Sequence, residues 1–179
     1  MSKEFWDFPE NINYTNVIIN NNMYKVLYKY DNYNDAAILL NSIRNLIDAI
    51  CKYLYVNYDT YSTKNKEYIK CFLSIHNGNY LLSEMQLNTP FNGLNKPKNI
   101  YLSNEISIGK DHKLRAKNRD IFLTIRKTDG KFKSENSILK LVIHEITHTM
   151  CNHVRWRDDD HNEDFDNCEK LIISVVKEL

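Results

Sequence analysis

Residues 144–148 read His-Glu-Ile-Thr-His, two imidazoles and a carboxylate in H-E-x-x-H spacing. On an α-helix, positions i and i+4 share one face about a turn apart, so His144 and His148 can close on a single cation. Zn2+ is the cation such a pair suits. Glu145 is turned about 100° from His144, beside that face, where its carboxylate reaches a metal-bound water without taking a coordination position. That is the arrangement of a hydrolytic zinc site. The bare pattern arises by chance roughly once in a few hundred chains of this length, so its surroundings decide. Ile138, Leu139, Leu141, Val142 and Ile143 precede the box, and Ile146 and Met150 follow it. A run apolar on most sides, helical from Ser137, describes a helix buried in a core. Two histidines and a glutamate midway along it are costly to bury without a partner, which weighs against histidines satisfied only by hydrogen bonds.

A catalytic zinc site usually takes three protein ligands and leaves a position open. His153 falls five residues after His148, whereas the short metzincin connection places its histidine six after, with a glycine where Cys151 stands. His161 is the better third ligand. It opens a new helix after Asp158-Asp159-Asp160, carboxylates placed to cap that helix and to hold an imidazole tautomer. His153 or Arg155 is then left to contact a developing oxyanion.

The elements that must position these residues are read from periodicity. Val17 to Ile19 and Met23 to Tyr30, flanking Asn20-Asn21-Asn22, predict a hairpin. Asn34 or Asp35 caps a long helix with an apolar stripe of Leu39, Ile43, Leu46 or Ile47, Ile50 and Leu54. A second helix over residues 62–77 presents Tyr68, Cys71, Phe72 and Ile75 and stops at Gly78. His76 reads as a hydrogen-bonding residue at that helix end rather than a ligand. Short β-like runs follow at Leu81 to Met85, Ile100 to Leu102, Ile106 to Ile108 and Ile121 to Arg126, with a loop at Pro90, Gly93 and Pro97. The box helix and a last helix over 161–178, with Phe165, Cys168, Leu171 or Ile172 and Val175 inward, complete an α+β domain.

The chain has 179 residues and a formal charge of +1, which suits one domain, residues 1–179, with residues 1–11 a loosely packed tether. Its net charge gives no global attraction to nucleic acid or membrane. No leader pattern or membrane span is evident, so an intracellular compartment, cytoplasmic or nuclear, is expected, with no membrane partner. Cys51, Cys71, Cys151 and Cys168 form no C-x-x-C pair and read as reduced core thiols, Cys151 packed rather than ligating. The tilt toward Asn, Lys, Tyr and Ile is what an AT-rich genome writes, that of a large DNA virus or a parasite for example. Nine cationic residues from Lys110 to Lys133, among them Arg115, Arg119 and Arg126, are diluted by Asp111, Asp120 and Asp129. They read first as a solvated segment and second as a weak phosphate-binding rim. Tyr101 and Phe122 read as core aromatics.

The box, the later His161-x-x-x-Phe165 and the upstream run from Gly93-Leu94-Asn95 to Ile121-Phe122-Leu123-Thr124-Ile125-Arg126 resemble the WLM metallopeptidases, relatives of the SprT-like and Spartan proteases. The likeness spans roughly residues 81–171. It implies a zincin-like fold, a small twisted sheet packed on helices around the H-E-x-x-H helix. It also implies zinc held by His144, His148 and His161, with Glu145 as catalytic acid and base. The implied activity is cleavage of proteins bound or crosslinked to DNA, with Ile121 to Arg126 as the edge strand that pairs with substrate. The sequence departs from the family in the gap of thirteen positions between His148 and His161. Two rivals stand beside a peptidase: a zinc hydrolase of a non-peptide amide, which an enclosed pocket would favour, and a zinc-stabilised binding module without catalysis, which four protein ligands would select.

Overall fold

The computed structural model describes residues 14–87, 91–103, 114–154 and 161–179. Their fold is α+β, one five-stranded mixed sheet and four helices. Strands β1 (Tyr14–Ile19) and β2 (Asn22–Leu27) form the expected antiparallel hairpin. Asn20 and Asn21, both at positive φ, supply the two-residue turn whose twist matches that of paired strands, a conformation asparagine tolerates better than most residues.

Helix α1 (Tyr33–Val56) buries Ala36, Ala37, Leu40, Ile43, Ile47, Ile50 and Leu54 against the sheet. The expected stripe is present, but Leu40 rather than Leu39 lies at its buried centre. Its start is also earlier than expected. Asn32 occupies the cap, and its side chain accepts from Arg126 Nη1 (2.7 Å) instead of closing on the helix. Helix α2 (Thr63–His76) is capped by Ser62, whose hydroxyl accepts from the Asn65 amide.

After α2 the chain enters β3 (Tyr80–Glu84), β4 (Gly93–Leu102) and β5 (Leu114–Leu123), and the spatial order is β1-β2-β3-β5-β4. β3 runs parallel to β2 and β5, and β4 runs antiparallel to β5. Two expectations are corrected here. Residues 93–98, expected in a loop, belong to a strand that continues into the expected run Ile100 to Leu102: Gly93 and Pro97 sit opposite Leu123 and Arg119. Proline is tolerated because β4 is an edge among the described strands, with no second neighbour there to receive a ladder hydrogen bond. Ile121 to Arg126 is consequently no edge, since β5 lies between β3 and β4. The strand expected at Ile106 to Ile108 lies outside the described residues.

Helix α3 (Glu135–Met150) carries the box and packs on β4, β5, α2 and α4, while α4 (Glu163–Glu178) packs on α3 and α1. Ser134 caps α3 by accepting from the Ser137 amide. Asn162, not the aspartates before it, caps α4 by accepting from the Phe165 amide, so His161 is held just outside the helix. Phe165, Cys168, Leu171, Ile172 and Val175 turn inward as expected. The four cysteines are free. Among the described residues, no helix is long and apolar enough to cross a membrane.

A buried ion pair ties the end of β3 to the segment after β5. Arg126 Nε donates to Glu84 Oε1 (2.6 Å), and both side chains are 1% exposed. Glu84 Oε2 accepts from the Leu27 amide, and Arg126 Nη1 also reaches the Gly130 carbonyl. With Tyr30 and Phe132 against its guanidinium, Arg126 has its charge matched inside the core. It is therefore withdrawn from any nucleic-acid surface. Arg115 and Arg119 are likewise buried. Of the cationic segment, Lys117, Lys127 and Lys131 stay exposed, and Lys110 and Lys113 lie outside the described residues. Tyr101, expected in the core, stands 41% exposed on β4 with the Lys117 ammonium over its ring.

Candidate metal centre

Helical spacing brings His144 and His148 to one side of α3, and the start of α4 brings His161 to meet them. One ligand atom from each lies within 4.8 Å of the others. The Nε2 atoms of His144 and His161 are 3.2 Å apart. Two zinc–nitrogen bonds of roughly 2.0–2.1 Å at a tetrahedral angle would hold their nitrogens about 3.3–3.4 Å apart, so these two imidazoles fit one zinc with little adjustment. The His148 ring is reached through Nδ1 by His153 Nδ1 at 2.9 Å, which leaves Nε2 of His148 for a cation. Phe165, nearly fully buried, forms the floor. Its ring centroid lies 5.1, 5.0 and 4.7 Å from those of His144, His148 and His161.

The electrostatics favour neutral imidazoles, the form that binds metal. Burial, then His161, lowers the pKa of His144. Burial first, with His153, His144, His161 and Arg119 adding to it, holds His148 well below the usual range. Glu145 is 4% exposed, and burial pushes its pKa up to about 8. A carboxyl buried this far is a costly feature for a purely structural helix.

Residues given no part in the site by the sequence hold this arrangement to the sheet. Asn95 on β4 donates through Nδ2 to the Glu145 carbonyl (2.6 Å) and to Thr149 Oγ1 (2.8 Å). Arg119 on β5, 1% exposed, donates through Nη1 to Asn95 Oδ1 (3.0 Å) and through Nη2 to the His153 carbonyl (2.8 Å). One guanidinium thus joins two strands, the box helix and the turn after it. Gly93, expected as a loop residue, also shapes the site. A Cβ there would stand 2.8 Å from Cδ of Glu145 and 2.9 Å from its Cγ, so only glycine lets the carboxyl lie against the edge strand. The sequence signal was the Gly93-Leu94-Asn95 run itself, which is polar and glycine-led and so reads as a loop.

Cys151 does not join the cluster: its thiol donates to the Asp164 carbonyl. His76 is not a ligand either, but its expected role changes. Its ring is 1% exposed between Phe72 and Tyr80, with both nitrogens unpartnered among the described residues. Burial, then Arg119 and Arg44, drives its pKa down to about 3. His153 is placed against His148, and Arg155 lies outside the described residues. The chain matches no family model, and neither the curated proteins nor the solved structures contain a significant match to it.

Proposed function

We propose that the chain is a zinc metallopeptidase of zincin-like type, hydrolysing peptide bonds at a centre formed by His144, His148, His161 and Glu145. One observation carries the reading: three imidazoles converge closely enough for one cation, with a buried carboxyl on the residue next to the first. Zn2+ bound there would act as a Lewis acid and bring the pKa of a bound water toward neutrality. The remaining work belongs to the chain. Glu145 takes the proton from the attacking water and returns it to the leaving amine, the work of a carboxylate positioned beside the bound water. Gly93 leaves room for that carboxyl, and Asn95 fixes the backbone that bears it.

The open side of β4 supplies a place for an extended substrate. A peptide added to a sheet edge is held by main-chain hydrogen bonds, largely independent of its side chains. β4 takes the role first expected of Ile121 to Arg126. The resemblance to WLM and SprT-like proteases supports DNA-bound or DNA-crosslinked proteins as the substrate class. Lys117, Lys127 and Lys131 remain for weak, salt-sensitive contact with phosphates.

The test incubates zinc-loaded protein with an unfolded protein and with a DNA-bound protein, alongside Glu145→Gln and a chelator-treated sample. Cleavage is expected in the parent, is abolished by chelation, and falls by about 10²-fold or more in Glu145→Gln with zinc retained. A Gln variant cleaving at the parental rate would sink the mechanism. A parent inactive on every substrate would favour the binding-module reading.

A further inference from the structure

His153 lies in the turn after the box helix, and its Nδ1 is 2.9 Å from Nδ1 of His148. At that separation one proton fits between the two nitrogens. One ring donates and the other accepts. If His148 is the donor, its Nε2 carries a lone pair and can bind a cation. If His153 is the donor, His148 bears its proton on Nε2 and is useless as a ligand through that atom. Ligand histidines are commonly fixed in this way by a carboxylate, a carbonyl or a water on the other ring nitrogen. Here the partner is another imidazole, and its own position is set from outside. Arg119 Nη2 holds the His153 carbonyl at 2.8 Å, the His153 amide donates to the His148 carbonyl, and Phe165 stacks at 17° to the His153 ring.

We infer that His153 is a positioning residue for the metal centre: its Nδ1 accepts from His148 Nδ1–H and so fixes the tautomer in which His148 binds zinc through Nε2. This rests on the metallopeptidase reading only insofar as the cation is concerned, since the pairing belongs to the chain alone. It has a second consequence. With Nδ1 accepting, a neutral His153 carries its proton on Nε2, so neither nitrogen is free to act as a ligand or as a base. His153 is a donor at that atom, and the structure thereby separates its role from that of His161.

Three full-length proteins test the inference: the parent, His153→Leu and His153→Asn. The amide oxygen of asparagine can stand near the place of imidazole Nδ1 and accept the same hydrogen bond. Zinc affinity is read by competition with a chromophoric chelator, and the tautomer of His148 by nitrogen NMR of the zinc-free chain. His153→Leu is expected to raise the zinc Kd about 10–100-fold and to spread His148 over both tautomers. His153→Asn is expected to restore zinc affinity to within a few-fold of the parent, which a packing role alone would not produce. Two results would overturn the inference: parental zinc affinity in His153→Leu, or a His148 that bears its proton on Nε2 in the zinc-free parent. A parent that binds no zinc, yet keeps the His148 proton on Nδ1, would defeat the metallopeptidase reading and still support the pairing.

Discussion

Glu145→Gln should weaken cleavage and at the same time stabilise the metal-free fold, with a pH dependence that can be worked out in advance. In the zinc-free protein, burial raises the Glu145 carboxyl from its ordinary 4.5 to about 8. The folded chain therefore holds this proton up to about pH 8, while the unfolded chain releases it near pH 4.5. Between these values the unfolded state gains from ionisation and the folded state does not, so the contribution of Glu145 to stability falls as pH rises. At about 1.36 kcal/mol per pKa unit, the deficit at and above pH 8 is on the order of 4–5 kcal/mol. A glutamine has no proton to release, so its contribution is flat with pH. His144, His148 and His153 also titrate differently in the folded chain, but they are common to both proteins and cancel in the difference. Urea unfolding of zinc-free parent and variant at pH 5, 6.5 and 8 checks this. The pH-dependent part of the stability gap should be under about 1 kcal/mol at pH 5 and should widen in favour of Gln toward pH 8, and it should close when zinc is added to the parent. A gap that does not change with pH would refute the claim that this carboxyl is buried without a compensating charge.

Three other substitutions probe the surroundings. His161→Ala should abolish tight zinc binding, whereas His153→Leu should still reach one equivalent at saturating zinc; retained affinity in His161→Ala, measured by the same chelator competition, would reassign the third ligand. Gly93→Ala should cost about 1–3 kcal/mol by overpacking and should lower the cleavage rate without removing zinc, because the new methyl displaces the Glu145 carboxyl; thermal melts and zinc analysis together check it. Arg126→Met should destabilise the fold by about 3–5 kcal/mol by stranding Glu84 in the core, and adding Glu84→Leu should recover part of that loss in urea unfolding.

The residues legible in sequence were those whose partners lie within a helical turn or two. His144, Glu145 and His148 declare themselves by helical spacing, and α1 and α4 by their apolar stripes. His161 was legible for a different reason, since a histidine at the start of a new helix is the natural return point for a chain leaving α3. Ile100 to Leu102 read as β, but the first half of β4 was hidden because Gly93, Asn95 and Pro97 mark turns and loops by their local preferences. An edge strand tolerates them, and only its pairing with β5 makes it a strand. Arg119 and Arg126 read as surface charge because their partners are remote. Asn95 stands 24 positions from Arg119, and Glu84 stands 42 from Arg126. Pairing at that range decides whether a guanidinium faces water or holds a core together.

In the proposed centre three histidines close on one zinc and leave a position for water. X-ray absorption at the zinc edge on the full chain, loaded with one equivalent of zinc, tests it most directly. Three imidazole nitrogens and one exchangeable oxygen are expected at roughly 2.0–2.1 Å, with one histidine lost from the shell in His161→Ala. A sulfur at about 2.3 Å, or a fourth protein ligand with no exchangeable oxygen, would contradict it and mark the site as structural.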